Sequence, residues 1–153
     1  TLSMINKNCD AKVPVYGELV EADKKLLNDA YNLIDVLRVN FDELAIHKSL
    51  DAIWALVSGA NKYVDEMAPW ALKKTDTARM GTVLYVLAEV IRHLGLAVMP
   101  FMPDSAGKIL DQLAIVTNQR NYEAWGKVGA LKVGDILPAP TVIFPRYIEE
   151  LKN

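Results

Sequence analysis

The chain is poor in the groups that usually carry independent chemistry or covalent stapling: of its 153 residues, one is cysteine and two are histidine. The lone thiol, Cys9, can close no internal disulfide and belongs to no paired-cysteine metal knuckle, so the expected setting is reducing and cytoplasmic. His47 and His93 fall on different expected helices, which leaves both a histidine-rich metal site and a serine–histidine–aspartate triad without their parts. We therefore expect no metal site and no catalytic residue here. Neither a Gly-x-Gly-x-x-Gly turn nor a Gly-x-x-x-x-Gly-Lys loop occurs, so no known motif cradles a nucleotide phosphate and no cofactor is expected in this chain.

A surplus of positive charge is also missing. With 17 basic and 19 acidic residues the net charge is −2, which argues against a protein that grips duplex DNA through its phosphates. The longest apolar run, residues 83–102, approaches membrane-spanning length but carries Glu89, Arg92 and His93. A central charge costs about 2.5–3.5 kcal/mol on insertion scales, so the run reads as a buried core helix and no membrane partner is expected. No sustained alternation of apolar and polar residues marks a strand.

What is present is helical periodicity over a length that suits one domain, residues 1–153, able to bury about 68–70% of its unfolded surface. Leu26, Ala30, Leu33, Leu37, Phe41 and Leu44 recur every three or four positions and predict a helix over 21–44, with Glu21 and Asp23 where its dipole favours anions. Ile46, Leu50, Ile53, Val57, Ala60, Val64 and Met67 predict a second helix over 46–67, in which Trp54 is expected in the core beside Ile53. Pro69 and the lysines after it interrupt the pattern. Asp76 then suits the N-cap of a third helix built on Met80, Leu84, Leu87, Ile91, Leu94 and Val98, where Glu89 precedes Arg92 and His93 at the spacing of a small helical ion pair.

Pro103 suits the first turn of a fourth helix with Ala106, Ile109, Leu110 and Leu113 inward. Residues 118–140 hold Gly126, Gly129, Gly134, Pro138 and Pro140 and predict an irregular segment, followed by a short closing helix from Pro145 or Arg146 to Leu151. Residues 2–7 read as the end of a further helix. Long helices with short connections predict an all-α, antiparallel up-and-down bundle with an irregular C-terminal segment.

The informative cluster lies where the second helix ends: Ala60-Asn61-Lys62-Tyr63, then Pro69-Trp70. A tryptophan directly after a proline and outside the regular stripe either plugs the end of the bundle or offers its face to an unstacked base. Asn61 either reads a base edge or satisfies a neighbouring backbone group. Lys62, Lys73, Lys74 and Arg79 surround the turn and are candidates for phosphate contacts, although a solvated helix end has the same composition.

These strings resemble the signature of the anticodon-binding domain of methionyl-tRNA synthetases. The opening Leu2-Ser3-Met4-Ile5-Asn6-Lys7, the run from Val83-Leu84-Tyr85 to Arg92, Pro100-Phe101-Met102-Pro103 and Phe144-Pro145-Arg146 agree with that family in order, so the likeness covers essentially the whole chain. The resemblance implies that Trp70 stacks on the cytosine of a CAU anticodon, with Asn61, Tyr63 and Pro69 in the same reading surface. It also implies two further readers, in an Asn-Leu-x-x-Arg stretch expected just before Thr1. The family's HIGH-type and KMSKS-type signatures are absent, so the intact enzyme's use of ATP (with Mg) to join methionine to its tRNA is expected to occur in a separate catalytic domain. The implied partners are the anticodon loop of methionine tRNA and that catalytic domain. An alternative from a different class is a helical protein-interaction module, which predicts no preference among RNA loops.

Overall fold

In the computed structural model, which describes residues 1–145, the four expected long helices form, the first ending at Asp42 and not at Leu44, and pack as an antiparallel bundle. Helix α1 (Leu2–Asn8) precedes a hairpin of α2 (Glu21–Asp42) and α3 (Ile46–Met67), turned through Leu44 at a left-handed φ of 57°. A short α4 (Pro69–Thr75) leads to α5 (Thr77–Val98), and α6 (Pro103–Gln112) returns along it. The expected turn after Pro69 is thus itself helical. Proline at the first helical position has no N–H to leave unpaired and its φ is already helical, a starting signal that the interruption of the apolar pattern concealed.

Helix α5 is the axis of the fold, packed against α1, α2, α3, α4 and α6. Val83, Val86, Ala88 and Val90 are fully buried beside the expected Leu84, so the helix is enclosed on nearly all sides and not along one stripe. It is long and apolar enough to cross a membrane, yet 89% of its most apolar stretch is buried inside the protein. Asp76 caps it as expected, accepting from the Arg79 N–H at 2.9 Å.

Two expectations for α3 fail for one reason. The fully buried residues are Ser49, Ile53, Leu56 and Tyr63, whereas Leu50, Val57 and Val64 are half-buried and Ile46 is exposed. The apolar stripe is wider than the seam that α2 and α5 cover, so its far edge faces solvent. Trp54, expected in the core, lies beyond that edge at 62% exposure.

Glu89 and Arg92 pair at 3.0 Å at the expected helical spacing, but in the interior, where with His93 they do more than a small helical pair. Their exposures are 0%, 1% and 0%, and they bind the irregular segment to α5. Arg92 donates to Glu89 Oε2 at 3.0 Å, to the Ala124 carbonyl at 2.8 Å and to the Gly126 carbonyl at 2.6 Å, while Glu89 Oε1 accepts from the Leu131 N–H. His93 donates from Nδ1 to the Glu89 carbonyl at 2.7 Å and accepts at Nε2 from Gly126 N–H at 3.1 Å. Those partners define a neutral imidazole. Burial first, and the Arg92 guanidinium second, push its pKa down to about 3. Trp125 packs edge-on against His93 and donates from its indole N–H to the Tyr31 carbonyl at 2.9 Å.

The segment after α6 is irregular, as expected, with 3-10 turns at Thr117–Gln119, Tyr122–Ala124 and Gly126–Gly129. It meets the loop after α1 through Val13 N–H to Asp135 O at 2.9 Å, Leu137 N–H to Ala11 O at 2.7 Å and the Lys12–Ile136 bridge. The loop is held on α5 where Gly17 N–H reaches Thr82 Oγ1 at 2.9 Å. At Gly81 a Cβ would lie 2.9 Å from the Val15 carbonyl oxygen. Gly81→Ala is therefore expected to lower stability by about 1–3 kcal/mol, the usual cost of overpacking, and the urea midpoint measures it. An unchanged midpoint would mean the loop backbone yields freely. The expected closing helix falls, from Arg146 onward, outside the described residues.

Candidate functional site

The end of α3 and the start of α4 meet at one residue. Ala68 takes a left-handed conformation, φ 41° and ψ 61°, closing α3 and opening α4. This reversal places Pro69 in the interior and Trp70 on the surface at 53% exposure. Residues three and four apart share a helical face, so Lys73 and Lys74, both exposed, follow one turn after Trp70 on the same face. An indole plane with two ammonium groups on one face can stack with an aromatic ring and meet an anionic backbone together. Trp70 does not plug the bundle.

Asn61 is exposed in the last two turns of α3, at the same end of the molecule. Lys62 is exposed as well, with its ammonium 3.7 Å from Glu66. The other expected contacts are placed differently. Tyr63 is 4% exposed and donates its hydroxyl to Asp23 Oδ1 at 2.6 Å, so it is a core group and cannot reach a ligand in this conformation. Pro69 is buried and shapes the turn. Arg79 is no open phosphate contact: both terminal guanidinium nitrogens, Nη1 and Nη2, bind Asp23, at 2.6 and 2.7 Å.

Asp23, fully buried, was legible only as an acid in the first turn of α2. It also accepts from the Val20 N–H at 3.0 Å, closing the start of its helix. Burial pushes its carboxyl up, but hydrogen bonds from Arg79, Tyr63 and Val20 outweigh that and hold it below the ordinary value. Burial, then the bond to Asp23, raises the Tyr63 phenol. No signal in the sequence pairs residues this far apart along the chain. Among the described residues no cluster of histidine, cysteine and carboxylate side chains could hold a metal ion.

Residues 13–153 match the family model described as the anticodon-binding domain of methionyl tRNA ligase. The methionine–tRNA ligase of Rhizobium meliloti is 48% identical over 148 residues, which is 97% of this chain and 29% of that protein. The methionine–tRNA ligase of Brucella suis is 50% identical over 149 residues, with coverage of 97% and 29%. The crystal structure of the free Mycobacterium tuberculosis methionyl-tRNA synthetase superposes with a TM-score of 0.91 at 46% identity, covering 97% of this chain and 30% of that one. Its methionyl-adenylate complex superposes at 0.89 with 46% identity, covering 94% and 29%. The chain thus spans less than a third of the proteins it matches.

Proposed function

We propose that this chain, which belongs to the family of methionyl-tRNA ligase anticodon-binding domains, reads the CAU anticodon loop of methionine tRNA as the recognition part, residues 1–153, of a longer cytoplasmic ligase. In this reading the remainder of the protein is the catalytic domain, which joins methionine to the tRNA with ATP and Mg. No known phosphate-cradling motif occurs in this chain, so this reading separates discrimination and chemistry in space.

The observation that carries the proposal is the exposed Trp70 at the αL joint, on the helix face it shares with Lys73 and Lys74. Aromatic stacking contributes about 1–3 kcal/mol per base without a large basic surface, which suits a net charge of −2. Asn61 would add an amide for a base edge, and Lys62 would join the two α4 lysines near the backbone.

Titrating the chain with a CAU stem-loop and with a loop altered at the C position tests this. Trp70→Ala is expected to weaken CAU binding about 5- to 150-fold, the equivalent of one lost stack, and to narrow the gap between the loops. Its melting temperature should stay near that of the parent chain. Equal binding of both loops by the parent, with a protein partner shifting its elution volume, would favour the interaction module instead.

A further inference from the structure

Arg79 touches both ends of the segment that carries Trp70. Its Nη2 lies 3.4 Å from the sulfur of Met67, the last residue of α3, and its backbone N–H caps onto Asp76, the residue that ends α4. The eight residues between these contacts contain the left-handed Ala68, the buried Pro69, Trp70 and both α4 lysines. The guanidinium is immobilised by two bonds to Asp23, which Tyr63 and the Val20 N–H fix in turn. Three helices, α2, α3 and α5, therefore converge on one carboxylate directly under the joint.

We infer that Asp23, Tyr63 and Arg79 are positioning residues for anticodon reading: they brace the Met67–Asp76 span so that Trp70 is presented at one angle before RNA arrives. The inference rests on the reading of Trp70 as a base platform. A fork of two parallel bonds fixes direction as well as distance, which an ammonium cannot reproduce, so the device specifies arginine at position 79. An L-residue held left-handed at position 68 is strained, and such a conformation persists only where its surroundings over-determine it. The brace supplies that surrounding, and it gives the buried Tyr63 and the Asp23-bound Arg79 an indirect role in presenting Trp70.

The test uses the full-length protein, with Arg79→Lys and the milder Tyr63→Phe. Both are expected to raise the KM for methionine tRNA, Arg79→Lys by about 3- to 30-fold, the range for residues acting through an intervening network. Methionine-dependent ATP–pyrophosphate exchange should be unchanged, and discrimination between CAU and C-altered tRNA should shrink. In a Trp70→Ala background, Arg79→Lys should add less than about twofold, because its effect passes through the missing indole. Full additivity with Trp70→Ala would overturn the inference and make Arg79 a direct contact. Folded variants of both kinds with parental KM would overturn it too. If Trp70→Ala alone leaves KM unchanged, the platform reading itself has failed, which separates the two.

Discussion

Glu89→Gln is expected to lower the free energy of unfolding by about 3–5 kcal/mol, the usual loss when one member of a buried ion pair is removed. The glutamine keeps the size of the side chain but leaves the Arg92 guanidinium, 1% exposed, without a counter-charge. The carbonyl partners of Arg92 on Ala124 and Gly126 offer dipoles but no negative charge. The Leu131 N–H would also lose a charge-assisted bond, so the damage should spread into the segment from Ala124 to Leu131. Trp125 then serves as a reporter: its near-ultraviolet circular dichroism should weaken before the helical signal does. A companion Glu89→Gln/Arg92→Met chain removes both charges and should recover part of the loss, since replacing a buried pair by apolar groups is often close to neutral. An unfolding free energy from urea titration within about 1 kcal/mol of the parent for the single variant would show that the ion pair is not what holds this segment.

Acidification should destabilise the protein well before its carboxylates titrate. His93 is fully buried with a pKa pushed down to about 3, against an ordinary 6.5. Protonating Nε2 would place a proton against both the Gly126 N–H and the Arg92 guanidinium, which lies 3.2 Å away. A base whose folded pKa lies below its unfolded one binds protons more readily when unfolded. Its contribution is therefore present above pH 6.5 and lost as pH falls from there toward 3. From that interval the expected loss is about 2 kcal/mol between pH 7 and 5, and about 4–5 kcal/mol by pH 3. Asp23, whose carboxyl is held low, adds a separate loss only as pH falls below the ordinary carboxylate range. Urea unfolding measured across pH 5 to 7 reads the histidine together with the Thr1 ammonium, whose pKa burial also lowers from 8.0. His93→Gln should flatten the slope in that window, and a parent chain with no slope there would contradict the assigned neutral state.

Helix existence was readable because a 3.6-residue period survives in any single helix with an apolar face. The span 46–67 appears in the structure as α3 (Ile46–Met67), and Asp76 caps α5 as its chemistry suggested. Which edge of a wide stripe becomes core was not readable. The same apolar residues on α3 are compatible with Trp54 inside or outside, and the choice belongs to where α2 and α5 lie. Trp70 was recognisable from its place after Pro69 and from the resemblance, but its exposure depends on the left-handed Ala68, a residue type with no preference for that conformation.

By itself, then, the amino-acid sequence determined the local quantities: the long helices, the Asp76 cap, the irregular segment after α6 and the family. Each depends on neighbours within a few residues or on short strings. The tertiary structure alone decided how distant charges are paired. Glu89 meets Leu131, Arg92 meets Gly126, and Asp23 meets Tyr63 and Arg79, across separations of 42, 34, 40 and 56 residues. A buried charge must find its partner wherever packing brings one, and nothing in the local pattern records which partner that will be.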